Sequence, residues 1–399
     1  GAGAIEIDGN GGTDELKILG AAATGAQGYA VGSGSLTVGI TGATTGSITA
    51  NDVEKLNLAL GNHGDTVTLT GNLGAGGAGL NSSKLDNKIS GGTGADSADY
   101  SALTSATGFT IETGNGNDTI KVSASGGNDT IDGGAGTDTL DLSAATHNTQ
   151  ITLSDGVAYA TLFGTNLGGD SVRGIENIRG SAQVDTLTGN AADNVFFASS
   201  NDDFINGGAG INTYDATGFG AAINVNLGAN PGPTTAASTL GIATLSNIQN
   251  VIGTSETDII VGSSAANRLE GGAGFDQLNG GGGDDTLVGG ADDDTIEGAA
   301  GDRDTAVFAG VRQDYTVAIA KSGGAATVTV THTASGDVDT LTGTEYMRFE
   351  NGPANVTVEV DEVTDFNQNT SADLFAINAT GVYSYRDGST PGTLVDLGK

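Results

Sequence analysis

Residues 253–297 read GTSETDIIV, GSSAANRLE, GGAGFDQLN, GGGGDDTLV and GGADDDTIE, five consecutive nine-residue units that align without a gap. The sixth position is Asp258, Asn267, Asp276, Asp285 and Asp294; the eighth is Ile260, Leu269, Leu278, Leu287 and Ile296. One oxygen-bearing side chain and one aliphatic side chain recurring in phase mark a repeat array, in which a unit buries its apolar face only by stacking on its neighbours.

Two further runs lie upstream. From Gly180 the chain reads GSAQVDTLT, GNAADNVFF, ASSNDDFIN and GGAGINTYD, with Asp185, Asn194, Asp203 and Asn212 in sixth position. Residues 113–121 (TGNGNDTIK) are followed, after a two-residue slip, by ASGGNDTID and GGAGTDTLD, which place Asp118, Asp129 and Asp138 there. Isolated copies begin at Gly9, with Asp14 as the acid, and at Gly91, with Asp96.

Glycine at the first, second and fourth positions permits backbone conformations closed to other residues, so six residues can close a tight turn with carbonyls aimed inward. The carbonyls expected there are those of Gly134 and Gly136, Gly208 and Gly210, Gly272 and Gly274, Gly281 and Gly283, and Gly290. With the sixth-position oxygens they offer the all-oxygen shell that calcium takes at about 2.3–2.6 Å. Zinc, which favours His and Cys, does not fit. The last three residues of a unit read as a short strand with its aliphatic residue inward. Two units then make one coil of a flattened right-handed spiral, with Asp258, Asp276 and Asp294 along one edge and Asn267 and Asp285 along the other. Asn in place of Asp at some turns is expected to grade the strength of the sites.

Composition agrees with a calcium-organised chain. Forty-eight Asp and Glu against 14 Lys and Arg give a formal charge of -34 over 399 residues, which repels itself in a compact state unless cations offset it, and argues against nucleic acid or anionic membrane as partners. Sixty-nine Gly, 11 Phe, 8 Tyr and no Trp imply a thin core. The absence of Cys excludes disulfides and thiolate metal sites, leaving calcium as the cross-link. No apolar run approaches the roughly 18 residues of a membrane span. The opening GAGAIEIDGN, without Met or leader, reads as that of a fragment or processed chain.

The repeat resembles the RTX (hemolysin-type calcium-binding) family, whose GGxGxDxUx pattern is met most fully by GGAGFDQLN, GGAGTDTLD and GGGGDDTLV. That resemblance implies a calcium-loaded parallel β-roll and export by type I secretion. The Gly-, Ala- and Thr-rich composition is similar to surface-layer proteins and large RTX adhesins. The segment DFNQNTSADLFAINATGVYSY resembles an FG-GAP repeat, in which Asp365, Asn367, Asn369 and Asp373 would bind one more calcium ion.

The expected architecture is all-β. Residues 1–100 form a looser β-solenoid, with strands at Ser35–Ile40, Glu54–Leu60 and Thr66–Thr70. Residues 101–215 form a roll with a β-sandwich-like excursion at 142–179, and 216–303 a second roll with an excursion at 216–252. These two excursions read as copies, returning through Ile175-Glu176-Asn177-Ile178 and Ile248-Gln249-Asn250-Val251. Residues 304–358 alternate β-branched and polar side chains, as an antiparallel cap over the open roll end does, and 359–399 form the FG-GAP-like tail.

No catalytic constellation is legible. The His residues His63, His147 and His332 have no HExxH spacing, and GSGSL at Gly32 has its Ser at the wrong offset for a GxSxG elbow. The expected function is a non-enzymatic structural protein of the bacterial surface, such as a surface-layer or matrix subunit, assembling into a lattice or filament once calcium folds it outside the cell. The alternatives are an adhesin binding a surface glycan, or the secretion and folding module of an enzyme or toxin.

Overall fold

The computed structural model describes residues 88–350, except 104–107, 123–126, 156–157, 165–167, 229–233, 239–240, 301–302 and 323–324; outside that span it gives only the backbones of individual strands. The chain divides into two compact units, Gly1–Asn212 and Thr213–Lys399. Among the described residues no helix is long and apolar enough to cross a membrane; apart from one 3-10 turn at Arg312–Asp314, the elements are strands.

Each unit is a parallel β-roll whose successive strands alternate between two sheets. In the second unit Ile259–Val261 pairs in parallel with Gln277–Gly282, which pairs with Thr295–Ala300. The intervening strands Arg268–Ala273 and Thr286–Ala291 pair with each other in the opposite sheet. This register stacks Ile260 on Leu278 on Ile296 in one wall, and Val251 on Leu269 on Leu287 in the other. In the first unit Ile89, Ile111, Ile131 and Val172 form one stack and Ala98, Ile120, Leu140, Ile178 and Phe196 the facing one. Except for Leu278 at 2 % and Ala98 at 1 % exposure, these side chains are completely buried. Burial of a Leu or Ile side chain contributes about 1.5–3 kcal/mol, and a coil supplies only one such residue per wall. The residues on either side of it face outward, most of them polar, as Thr286, Asn279 and Glu297 are.

The excursions are three-stranded meanders spliced into one wall of the roll. In the first unit Thr149–Thr152, Ala160–Gly164 and Gly168–Arg173 run antiparallel to one another. The outer two rejoin the parallel wall, Thr149–Thr152 on Thr186–Thr188 and Gly168–Arg173 on Thr130–Asp132. In the second unit Ile223–Asn226, Thr234–Ser238 and Gly241–Ser246 form the like meander, with Ile223–Asn226 on Ile259–Val261. Tyr315–Ser322, Ala325–His332 and Val338–Thr342 form another, with Val338–Thr342 on Thr295–Ala300. Near the N-terminus, the strand backbones Gly28–Val31, Leu36–Ile40 and Gly46–Asn51 repeat the pattern.

After Asp304 the other wall continues through Thr305–Phe308 and Tyr346–Phe349, then turns antiparallel with Val356–Glu359, Leu374–Asn378 and Gly381–Arg386. Phe308, Tyr315 and Phe349 meet with ring centroids 5.2–5.5 Å apart, replacing the single-aliphatic core by an aromatic one.

Candidate metal centre

Along each edge of the roll the sixth-position side chains form a hydrogen-bonded ladder. In the second unit the Asp258 N–H donates to Asp276 Oδ1 (2.7 Å), Asp276 N–H to Asp294 Oδ1 (2.9 Å), and Asp294 N–H to Asp339 Oδ1 (3.0 Å). On the other edge Asn267 N–H donates to Asp285 Oδ1 (2.8 Å), Asp285 N–H to Asp304 Oδ1 (2.8 Å), and Asp304 N–H to Glu345 Oε2 (2.8 Å). In the first unit Asp96, Asp118, Asp138 and Glu176 form one such series at 2.7–2.9 Å. Asp129 leads to Asp170, Asp185 to Asp203, and Asn194 to Asn212, at 2.8–3.0 Å. Each unit thus places its own sixth-position residues, Asp96 to Asn212 in the first and Asp258 to Asp294 in the second, in such ladders, whereas Asp14, Asp365, Asn367, Asn369, Asp373 and His63 lie outside the described residues.

In each acid that accepts a ladder bond one carboxylate oxygen is thereby occupied; the other decides what the site can hold. Oδ2 of Asp118, Asp138, Asp276, Asp285, Asp294 and Asp304 is buried and accepts no hydrogen bond. A buried carboxylate oxygen without a donor is costly unless a cation or a proton answers it. Burial pushes the carboxyls of Asp138, Asp276 and Asp285 up to about 7, and that of Asp294 up to about 8; it does the same, to about 7, at Asp203, whose Oδ2 has a donor. It also raises those of Asp258 and Asp304.

Backbone oxygens close the rest of each pocket. A Cβ on Gly253 would collide with the Gly271 carbonyl oxygen and lie 2.5 Å from Asp258 Oδ2. A Cβ on Gly280 would stand 2.8 Å from the Gly298 carbonyl oxygen and meet Asp285 Oδ2. The carbonyl beside the acid is therefore that of the first-position residue one coil further on. The second-position carbonyls instead hold neighbouring coils together, since Thr254 O accepts the Ala273 N–H at 3.1 Å, Ser263 O that of Gly282 at 2.8 Å, and Gly114 O that of Ala135 at 2.8 Å. Among the glycines expected to offer carbonyls, Gly272 (φ +116°) and Gly274 (φ +104°) crowd the previous coil, where a Cβ would strike the Thr254 and Glu256 carbonyls. Their role in the structure is to let the coils approach.

Among the described residues no three carboxylate or imidazole groups converge. The acids come in pairs from consecutive coils and the remaining oxygens are backbone, a hard all-oxygen set that suits calcium and not zinc. The residues present fit calcium.

Asn replaces Asp for a structural reason. Asn194 Nδ2 donates to the Glu176 carbonyl oxygen and Asn267 Nδ2 to the Gln249 carbonyl oxygen, both at 2.7 Å. An Asp could make neither bond. Four acids that the nine-residue spacing does not reveal end ladders, Asp170 and Asp339 from strands of the meanders and Glu176 and Glu345 from the turns that follow them. The only signal for two of them is the pair Gly174-Ile175-Glu176 and Gly343-Thr344-Glu345.

The family comparison agrees with the repeat geometry. The RTX calcium-binding nonapeptide repeat matches four times, at residues 112–144, 179–214, 252–287 and 270–303. No curated protein matches the chain. Among solved structures, the extracellular lipase LipA from Serratia marcescens aligns over 70 % of this chain at 19 % identity, with a TM-score of 0.15; the chain spans 38 % of that lipase. Nonapeptide repeats of this kind bind several calcium ions and belong to extracellular calcium-dependent proteins.

Proposed function

We propose that this chain, which carries RTX calcium-binding nonapeptide repeats, is a secreted structural protein of the bacterial cell surface, a surface-layer or matrix subunit that folds and assembles on meeting calcium outside the cell. The observation that supports this reading is the row of buried, donorless Oδ2 atoms. Asp276 and Asp285 Oδ2 lie beside carbonyl oxygens of the next coil, those of Gly289 and Gly298, so their chemistry serves cohesion between coils.

The residues proposed to hold calcium are the sixth-position acids Asp96, Asp118, Asp129, Asp138, Asp276, Asp285 and Asp294, with the carbonyl oxygens of the adjoining turns. When bound, calcium supplies the positive charge that lets consecutive carboxylates stay ionised a coil apart. The chain's own part is to present each oxygen from a rigid turn and to exclude water from it. Without the ion, a chain of charge -34 that is rich in glycine resists collapse, so folding waits for millimolar calcium.

Electron microscopy and circular dichroism on the purified chain, in excess chelator and in millimolar calcium, test the reading. Calcium-dependent β-structure together with ordered sheets or filaments is expected. Calcium-dependent folding to dispersed monomers would remove the assembly claim, and an unchanged β-signal would remove the folding claim.

A further inference from the structure

One constellation occurs twice where the nine-residue pattern breaks off, at the points where a roll turn faces the strand returning from a meander. Asp138 and Asp304 are completely buried, and in each Oδ2 has no hydrogen-bond donor. A Cβ on Gly133 would collide with the Gly174 carbonyl oxygen and lie 2.7 Å from Asp138 Oδ2. A Cβ on Gly298 would collide with the Gly343 carbonyl oxygen and lie 2.7 Å from Asp304 Oδ2. The backbone repeats as well. Glu176 and Asn177 N–H both donate to the Asp138 carbonyl (3.1 and 2.9 Å), and Glu345 and Tyr346 N–H both donate to the Asp304 carbonyl (3.0 and 3.0 Å). In return the acid N–H donates to Glu176 Oε2 (2.9 Å) or Glu345 Oε2 (2.8 Å).

We propose that Asp138 with Gly174 and Glu176, and Asp304 with Gly343 and Glu345, form two divalent-cation sites of calcium type that close the roll where it meets a returning meander. The inference rests on the reading that the nonapeptide turns hold calcium, and extends it to residues outside the matched segments: Gly174, Glu176, Asp304, Gly343 and Glu345.

The chemistry explains why glutamate stands in these returns. In a regular turn the acid stands five positions after the carbonyl-bearing glycine, as Asp276 after Gly271; in a return it stands only two after, as Glu345 after Gly343. The shorter backbone path is made good by the extra methylene of Glu and by left-handed glycine, with φ +61° at both Gly174 and Gly343. The carboxylate still reaches the position that the Asp of a further coil would fill. The second meander returns by the same turn through Asn247 (φ +53°), Ile248 and Gln249, and with an amide in place of the acid it lacks the charge a cation requires.

Equilibrium dialysis of the full chain against 45Ca2+ tests this. Glu176→Gln and Glu345→Gln each keep an oxygen acceptor for the ladder and remove the charge, so each is expected to lose one ion from the wild-type count, and the double variant two. Asp276→Asn, in a nonapeptide turn, is expected to lose an ion independently. A wild-type count in the folded double variant overturns the proposal whatever Asp276→Asn does; a wild-type count in Asp276→Asn overturns the nonapeptide reading separately. Should a Gln variant fail to fold, terbium luminescence sensitised by Tyr346, next to Glu345, replaces it. Tyr346→Phe is expected to lower the emission, and unchanged emission counts against the Glu345 site.

Discussion

The turns that begin a run and the turns inside it carry the same sixth-position residue types, yet they satisfy them by different means. At the first turns after a meander the second position is Ser181, Asn190, Thr254 or Ser263, and its backbone N–H donates to the sixth-position oxygen of its own turn at 2.6–2.9 Å. The Ser181, Thr254 and Ser263 hydroxyls donate as well. Deeper in a run the second position is glycine at positive φ at Gly134, Gly272, Gly281 and Gly290, whereas Ser199, in the third turn of its run, keeps a hydroxyl that donates to Asp203 Oδ2. At those glycine turns the sixth-position Oδ2 is left without a donor, as in Asp138, Asp276, Asp285 and Asp294. The contrast teaches that the conformation of the second residue, more than the acid itself, sets whether a turn closes on its own hydrogen bonds or needs a cation: Gly92, which is not at positive φ, also donates its N–H to Asp96 Oδ2, at 3.0 Å.

The sharpest way to break that contrast is to remove the acid from each kind of turn. Asp276→Ala takes the acceptor from the Asp258 N–H, and Asp203→Ala takes it from the Asp185 N–H. Each is expected to cost about 1–3 kcal/mol for an orphaned buried donor. Asp276→Ala is expected to lose most of the calcium-dependent stability as well, whereas Asp203→Ala, whose Oδ2 already accepts the Ser199 hydroxyl at 2.6 Å, shifts little between calcium and chelator. Urea unfolding in both conditions separates the two; equal calcium increments would erase the distinction.

Next in size is Asn267→Asp, which replaces the Nδ2 donor to the Gln249 carbonyl by a second acceptor. In chelator it is expected to destabilise the chain by about 1–3 kcal/mol. In calcium it recovers and the bound-ion count rises by one. Calorimetric titration reads both.

The interior turns also predict the effect of pH in chelator. Asp276 and Asp285 titrate near 7 and Asp294 near 8 in the folded chain, against about 3.9 for an unfolded Asp. The folded state thus binds more protons than the unfolded one between these values, and stability must fall as pH rises. The contribution is full below about pH 4 and lost by about pH 8. The urea midpoint in chelator is expected to be higher at pH 5 than at pH 8, and Asp294→Asn is expected to flatten the slope. In saturating calcium the trend reverses, because the ion requires the ionised form.

The smallest effect sharpens the comparison from the other side. Thr254→Gly removes one hydroxyl bond to Asp258 Oδ1 (3.1 Å) and is expected to cost about 1 kcal/mol, while making the turn resemble its interior neighbours and tighten calcium binding. A thermal melt in calcium and in chelator checks the two signs.

The interior of each run was legible because one acid and one aliphatic recur every nine residues, and Ile260, Leu278 and Ile296 stack as that spacing requires. The ladder ends were not. Asp138 and Glu176 are 38 residues apart and Asp304 and Glu345 are 41 apart, so no fixed period links them and the acceptor changes from Asp to Glu. The part played by Asn194 was hidden for another reason: an amide and a carboxylate look interchangeable as oxygen donors until a carbonyl is found opposite the nitrogen.

The splicing of the meanders bears on the order of folding. Thr149–Thr152 pairs with a strand that comes later, Thr186–Thr188, while Gly168–Arg173 reaches back to Thr130–Asp132. The chain overshoots and doubles back, so a polypeptide arriving from one end keeps an exposed strand edge until the remote partner has emerged. Residues 130–188 must consequently join the wall as one cooperative block, and winding one coil at a time is open only to the uninterrupted stretches between such blocks.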